Sequence, residues 1–84
     1  MLSAFVFFNC DIGAEPAIVD EMKKMEGVSE AVRVSGVYDI VAKISDESKE
    51  NIIKLVRKMR GIAYIRSSLT MIVAQDSGEP VETV

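Results

Sequence analysis

The chain has no histidine and no tryptophan, a single cysteine, two prolines, and aromatic residues at only 6% of its 84 positions. Each shortage excludes something. Without histidine a typical metal cage lacks its ligands, and Cys10 lacks the base that would make it a nucleophile. One cysteine cannot form an intrachain disulfide, so a domain this small has few routes to extra stability other than assembly. No glycine-rich phosphate loop and no pair of catalytic carboxylates can be drawn. There is also no basic stripe. The formal net charge is −3, whereas nucleic-acid binding needs clustered Lys and Arg to displace counterions. The densest basic segment, Lys54–Arg60, reads as the wet face of an amphipathic helix. The apolar run Leu2–Cys10 is short, lacks a positive leader and alternates at once, so neither signal peptide nor membrane span is expected, and a cytoplasmic protein is.

What the chain does have is aliphatic residues. Hydrophobic residues reach 49%, enough for one core and suggestive of a buried interface besides. At this length roughly 60–65% of the unfolded surface is buried on folding, which leaves room for one domain.

The periodicity predicts six elements. Residues 2–10 form a β-prone strand with Leu2, Ala4, Val6 and Phe8 on one side and Phe5 and Phe7 on the other, so the strand is central and covered twice. Asp11–Ala14 turns the chain, and Pro16 suits the first turn of a helix whose stripe is Ile18, Met22 and Met25, with Val19 at its edge. Gly27 is expected to end that helix in a left-handed cap. Period two resumes over 28–34, with Val28, Val32 and Val34 inward, Arg33 outward and Glu30 breaking the inward set. Ser35-Gly36-Val37 makes a tight turn into Tyr38–Ser45, where Ile40, Ala42 and Ile44 share a face. Ser45 or Asp46 caps a second helix carrying Ile52, Leu55, Val56, Met59 and Ile62. A last strand covers 64–75, with Ile65, Leu69, Met71 and Val73 against Ile72 and Ala74. The domain is therefore placed at 1–75, and the polar tail 76–84 is expected to be mobile unless a neighbouring subunit holds it.

The order βαββαβ is a duplicated βαβ unit, aligned so that Met22 pairs with Met59 and Val28 with Ile65. Right-handed crossovers give an α+β, ferredoxin-like plait: a four-stranded antiparallel sheet of order 4-1-3-2 with both helices on one face. The other face is bare. Leaving Phe5 and Phe7, or the set Val6 and Phe8, in water would expose an apolar patch that soluble monomers rarely tolerate. A second copy is expected to cover it through Phe5, Phe7, Met71 and Val73. Burying roughly 600–800 Å² per subunit is worth up to roughly 15–20 kcal/mol before association costs.

The stretch VRVSGVYDIVAK (Val32–Lys43), followed by IRSSLTMIV (Ile65–Val73), resembles the C-terminal regulatory half, or RAM domain, of the Lrp/AsnC family of leucine-responsive and asparagine-sensing transcription regulators. Gly36-x-Tyr38-Asp39 and the Ser/Thr-rich opening of the last strand carry the resemblance, which covers about residues 2–75. It implies sheet-to-sheet dimers closing an α+β barrel, rings of dimers (octamer or decamer), and amino-acid effectors bound between dimers without a cofactor. Family members usually carry a helix-turn-helix DNA-binding domain, whereas this chain opens directly into the first strand. It therefore looks like a stand-alone sensing and assembly module that could act on full-length regulators.

A free amino acid offers an ammonium and a carboxylate, so its receptor needs an anionic acceptor, backbone N–H donors and hydroxyls. Asp39 can accept from the ammonium. Val34, Ser35, Gly36, Val37 and Tyr38 surround it in the hairpin, with donors unobstructed at Gly36, and Ser67, Ser68 and Thr70 add hydroxyls. Each has a plainer role: positive φ at Gly36, turn capping at Asp39, core or interface packing at Tyr38, cross-strand pairing at the hydroxyls. Two other readings stand beside sensing: a purely structural partner of a transcription regulator, and a small cofactor-free α+β-barrel enzyme.

Overall fold

Strand β1 (Leu2–Cys10) occupies the centre of the sheet, and the rest of the chain is arranged around it. A computed structural model describes residues 1–73 and 82–83. After β1 come α1 (Glu15–Lys23), β2 (Val28–Arg33), β3 (Ile40–Asp46), α2 (Lys49–Arg60), β4 (Ile65–Val73) and the short β5 (Glu82–Thr83). The strand order is β2-β3-β1-β4-β5, all antiparallel. This is the expected plait with one strand added at the β4 edge, where Thr83 stands opposite Met71 and Glu82 opposite Ile72. The rest of the polar tail lies outside the described residues. Among them no helix is long and apolar enough to cross a membrane.

Ala4, Val6 and Phe8 of β1 lie beneath the helices, opposite Ile44, Ala42 and Ile40 of β3, and all six are fully buried. Ile18, Val19 and Met22 of α1 and Ile52, Val56 and Met59 of α2 close over them. Met22 and Met59 thus play equivalent roles, and Val28 and Ile65 each open a strand, as the duplicated unit requires. Phe5 and Phe7 point to the other face, together with Val41, Leu69, Met71 and Val73.

The expected inward set of β2 is wrong for two of its three valines. A register shift between Val28 and Glu30 inserts an extra residue, so that after Val28 the core side is taken by Ala31. Val32 and Val34 are exposed, Val32 opposite Val41 on the open face. A bulge flips every later side chain. The same physics moves Ile65: a shift at Asn9/Cys10 sets it opposite Cys10, packed on the core and separated from the open-face set of Leu69, Met71 and Val73.

The caps also differ from expectation. Helix α1 ends at Lys24 in ordinary right-handed geometry, and Gly27, at φ +94°, instead turns the chain into β2. There its carbonyl accepts from the Ser45 N–H at 2.9 Å. A Cβ on Gly27 would meet Leu55 Cδ2 at 2.9 Å and the Ser45 carbonyl at 3.5 Å. Helix α2 is capped by Ser48, whose hydroxyl accepts from the Asn51 N–H at 3.1 Å, rather than by Ser45 or Asp46. Asp46 supports that cap from outside the helix. Its Oδ1 accepts from Asn51 Nδ2 at 3.0 Å and from the backbone N–H groups of Glu47 and Ser48 at 2.6 and 3.4 Å. These bonds, the Asn51 amide first, hold its carboxyl below the ordinary range.

Two outcomes follow from this geometry. Gly27→Ala combines a left-handed φ with a steric contact and should lower stability by about 1–3 kcal/mol. Gly36→Ala, at φ +143° with nothing within 4 Å, should cost less. The urea midpoints of the two variants, at one protein concentration, test that order. A carboxyl held low contributes its stability above the ordinary aspartate value of about 3.9 and loses it as pH falls through the lowered value. Asn51→Ala removes the largest cause, so its acid transition, followed by helical circular dichroism, should begin at higher pH than that of the wild type. Superimposable curves would mean the Asp46 cluster adds nothing to α2.

Candidate ligand site

The expected site residues gather at one end of the sheet. Phe8 stands opposite both Ile40 and Ser68, and Arg33 opposite Ile40. The end of β1, the β2–β3 connection and the start of β4 are therefore neighbours. The connection is a six-residue loop over 34–39 rather than a tight turn, closed by Val34 N–H donating to the Asp39 carbonyl at 2.9 Å. Gly36 carries the positive φ, and Val34, Ser35, Gly36 and Val37 are exposed. Tyr38 folds back so that its ring packs on Phe7, centroids 5.4 Å apart.

Asp39 has an employment the sequence did not reveal. Its N–H donates to the Phe8 carbonyl at 2.9 Å, and its Oδ2 accepts from the Cys10 N–H at 3.0 Å. The carboxylate stands in for a ladder carbonyl just where β1 runs past the start of β3. One oxygen is thus occupied while lone pairs on the group stay available to an ammonium. Burial first, and then the negative charges of Asp39, Glu15 and Asp11, push the Cys10 thiol up, which makes it a poor nucleophile.

The three hydroxyls do not form one group. Ser67 is on the open face and accepts from Asn9 Nδ2 at 3.2 Å. Ser68 and Thr70 lie opposite Phe8 and Val6, on the helix side, where they line a cleft with Ile53, Val56, Arg57 and Arg60 of α2. Ser67 therefore belongs with Asn9, Tyr38 and Asp39 around the end of β1. Ser68 and Thr70 belong to the opposite flank of the sheet, one strand beyond β1.

Sequence reasoning missed Asn9, the two arginines and an apolar rim. Ile12 is 100%, Val37 85% and Tyr64 66% exposed, and all three are in connections at this same end. Tyr64 has φ +75°, rare for a bulky residue, and its carbonyl accepts from the Asp11 N–H at 3.1 Å. Arg66 Nε reaches Asp11 Oδ1 at 3.5 Å across the same junction. Nothing in the periodicity marks these residues, because loop geometry rather than alternation brings them together.

The sequence model of the Lrp/AsnC ligand binding domain matches residues 3–79, and the chain belongs to that family. Among solved structures it is similar to the hypothetical protein PHS023 of Pyrococcus horikoshii, with a TM-score of 0.85 and 26% identity, covering 92% of this chain and 94% of that one. It superposes on AsnC of Escherichia coli with a TM-score of 0.80 at 23% identity, covering 94% of this chain but 54% of AsnC, a likeness of fold. A homocitrate synthase of Saccharolobus solfataricus is 25% identical over 73 residues, 86% of this chain and 16% of the synthase. The chain thus spans about a sixth of the length of the curated relatives it matches.

The geometry separates two functions of Asp39. Asp39→Asn keeps an acceptor for the Cys10 N–H and should stay within about 1 kcal/mol of wild-type stability, whereas Asp39→Ala orphans that donor at about 1–3 kcal/mol. Equal thermal midpoints for the two variants would show that the hydrogen bond carries no weight.

Proposed function

We propose that the protein is a non-enzymatic, cytoplasmic amino-acid-sensing and assembly module. Two copies pack their open sheet faces together as an α+β barrel, dimers associate into a ring, and an amino acid bound near the β2–β3 loop at dimer–dimer contacts shifts the balance between assemblies. The observation that carries this reading is the open face itself. Phe5, 38% exposed, with Phe7, Met71, Val73 and Val32, forms an apolar surface over which no described helix or strand packs, Tyr38 of the β2–β3 loop meeting it at Phe7. Among the described residues the cation on it is Lys43, whose Nζ is 6.0 Å from the Phe5 ring centroid and which stands opposite Glu30. Both neighbours offer that charge an attractive partner when water is excluded.

The rim of Ile12, Val37 and Tyr64 supports a second contact at the end of the sheet, beside Asp39 and Gly36. A ligand touching two dimers there stabilises the ring by the free energy of the shared contacts. Fold-level similarity to a regulator, and sequence similarity to a small part of an enzyme, fits a regulatory module that different machinery can carry. Any effect on transcription would pass through co-assembly with a full-length regulator of this family. The engagement of Asp39 with Cys10 favours one competing reading, a structural partner that binds no ligand.

Light scattering on a sizing column, with and without each proteinogenic amino acid at millimolar concentration, tests the proposal. The expected result is a dimer or larger ring whose mass responds to one or a few amino acids, and a Phe5→Glu variant that falls to monomer. A ring indifferent to every amino acid supports the structural partner, and a wild-type monomer overturns both readings.

A further inference from the structure

The cleft between α2 and β4 carries an inference beyond assembly. It has a volume of about 190 Å³, below the ~300–1,000 Å³ of pockets for drug-sized ligands, so it suits a small metabolite. Its lining is chemically one-sided. Arg57 and Arg60, three residues apart on one face of α2, stand over Ser68 and Thr70, two residues apart on one face of β4, and Ile53 and Val56 supply an apolar wall. Among the described residues no carboxylate lines it.

Two observations point to an anionic ligand. Thr70 is only 2% exposed, yet its hydroxyl has no hydrogen-bond partner among the described residues. No fully buried side-chain polar atom is left unpaired, so this hydroxyl opens onto the cleft. The guanidiniums, too, have no ion-pair partner among the described residues, although Lys54 on the same helix is 3.8 Å from Glu50. In a chain of net charge −3, five of the ten basic residues lie in α2: Lys49, Lys54, Arg57, Lys58 and Arg60. Cations in the last turn do offset the negative end of the helix, but that end amounts to only about half an elementary charge, against two full positive charges at the cleft. Lysine serves that purpose equally well. The planar fork of arginine is what recognises a carboxylate through two parallel hydrogen bonds.

We propose that this cleft binds a short-chain dicarboxylate, its two carboxylates held by Arg57, Arg60 and the hydroxyls of Ser68 and Thr70, its methylenes against Ile53 and Val56. The ligand has two sources of the same chemistry: an acidic amino acid, or a dicarboxylic acid without an ammonium. The first would make the cleft an amino-acid site separate from the one proposed at the β2–β3 loop. The second needs the cleft alone.

Titration calorimetry on the intact protein at constant ionic strength decides, with glutamate, aspartate, glutarate and succinate as probes and glutamine and sodium sulfate as controls. The expected result is binding of at least one dicarboxylate, weakened about tenfold or more by Arg57→Gln and by Thr70→Val, with glutamine bound at least about tenfold more weakly than glutamate. The arginine is exposed, so its variant should fold, and its thermal midpoint checks this. Glutarate binding as tightly as glutamate assigns the ligand to the cleft alone, whatever becomes of the sensing reading. Glutamate binding without glutarate assigns it to an acidic amino acid whose ammonium is held elsewhere. The proposal is overturned if no dicarboxylate binds at millimolar concentration, if sulfate binds as tightly as the best of them, or if Arg57→Gln changes nothing.

Discussion

Strand β1 hydrogen-bonds to a neighbour on each edge and is apolar on each face, while the described chain covers only one of those faces. Most of the architecture answers to that imbalance. With β3 and β4 taking the two edges of β1, β2 pairs with the outer edge of β3, and right-handed crossovers put both helices on one side. Ala4, Val6 and Phe8 use that side completely. What remains is a second apolar face built from the alternate residues of the same strands. The strand that makes the fold thus also presents the face on which the proposed assembly rests.

The end of β1 shows how polar groups are placed by irregularity. A regular ladder would give the Cys10 and Asp11 N–H groups ordinary cross-strand partners. Instead the register shifts at Asn9/Cys10, the Asp39 carboxylate takes the first donor and the carbonyl of Tyr64 takes the second. Backbone donors near a sheet end must be satisfied somehow. Here they are satisfied by a charged side chain and a strained residue, which fixes the three connections at that end to one another. Whatever binds there meets a preorganised surface, although the residues are far apart in sequence.

Alternation and helical spacing made the strands, both helices and the sheet order legible, because burial on a regular element leaves a period in the sequence. Bulges leave none. Ser29 and Arg66 give no sign that one residue will be skipped, so Val32, Val34 and Ile65 were assigned to the wrong sides. Caps were ambiguous for a related reason: Ser45, Asp46 and Ser48 are all competent, and only the geometry between β3 and α2 selects Ser48. At the candidate site, Gly36 and Asp39 could be picked out, but chemistry cannot say that Ser67 and Ser68 face opposite ways until the strand register is known. Arg57 and Arg60 looked like a solvated helix face because the hydroxyls opposite them are contributed by a different element.

The short pairing of Glu82–Thr83 with β4 bears on which edges of the sheet a further strand could reach. It occupies the outer edge of β4 at Met71 and Ile72, the most apolar stretch of edge backbone in the sheet. The opposite edge, β2, is six residues long, bulged near its start and carries Glu30 and Arg33, features that discourage a further strand from docking. Growth strand by strand in the plane of the sheet is therefore hindered on both sides. An edge-to-edge contact could propagate without end, whereas the face-to-face contact proposed above would close on itself.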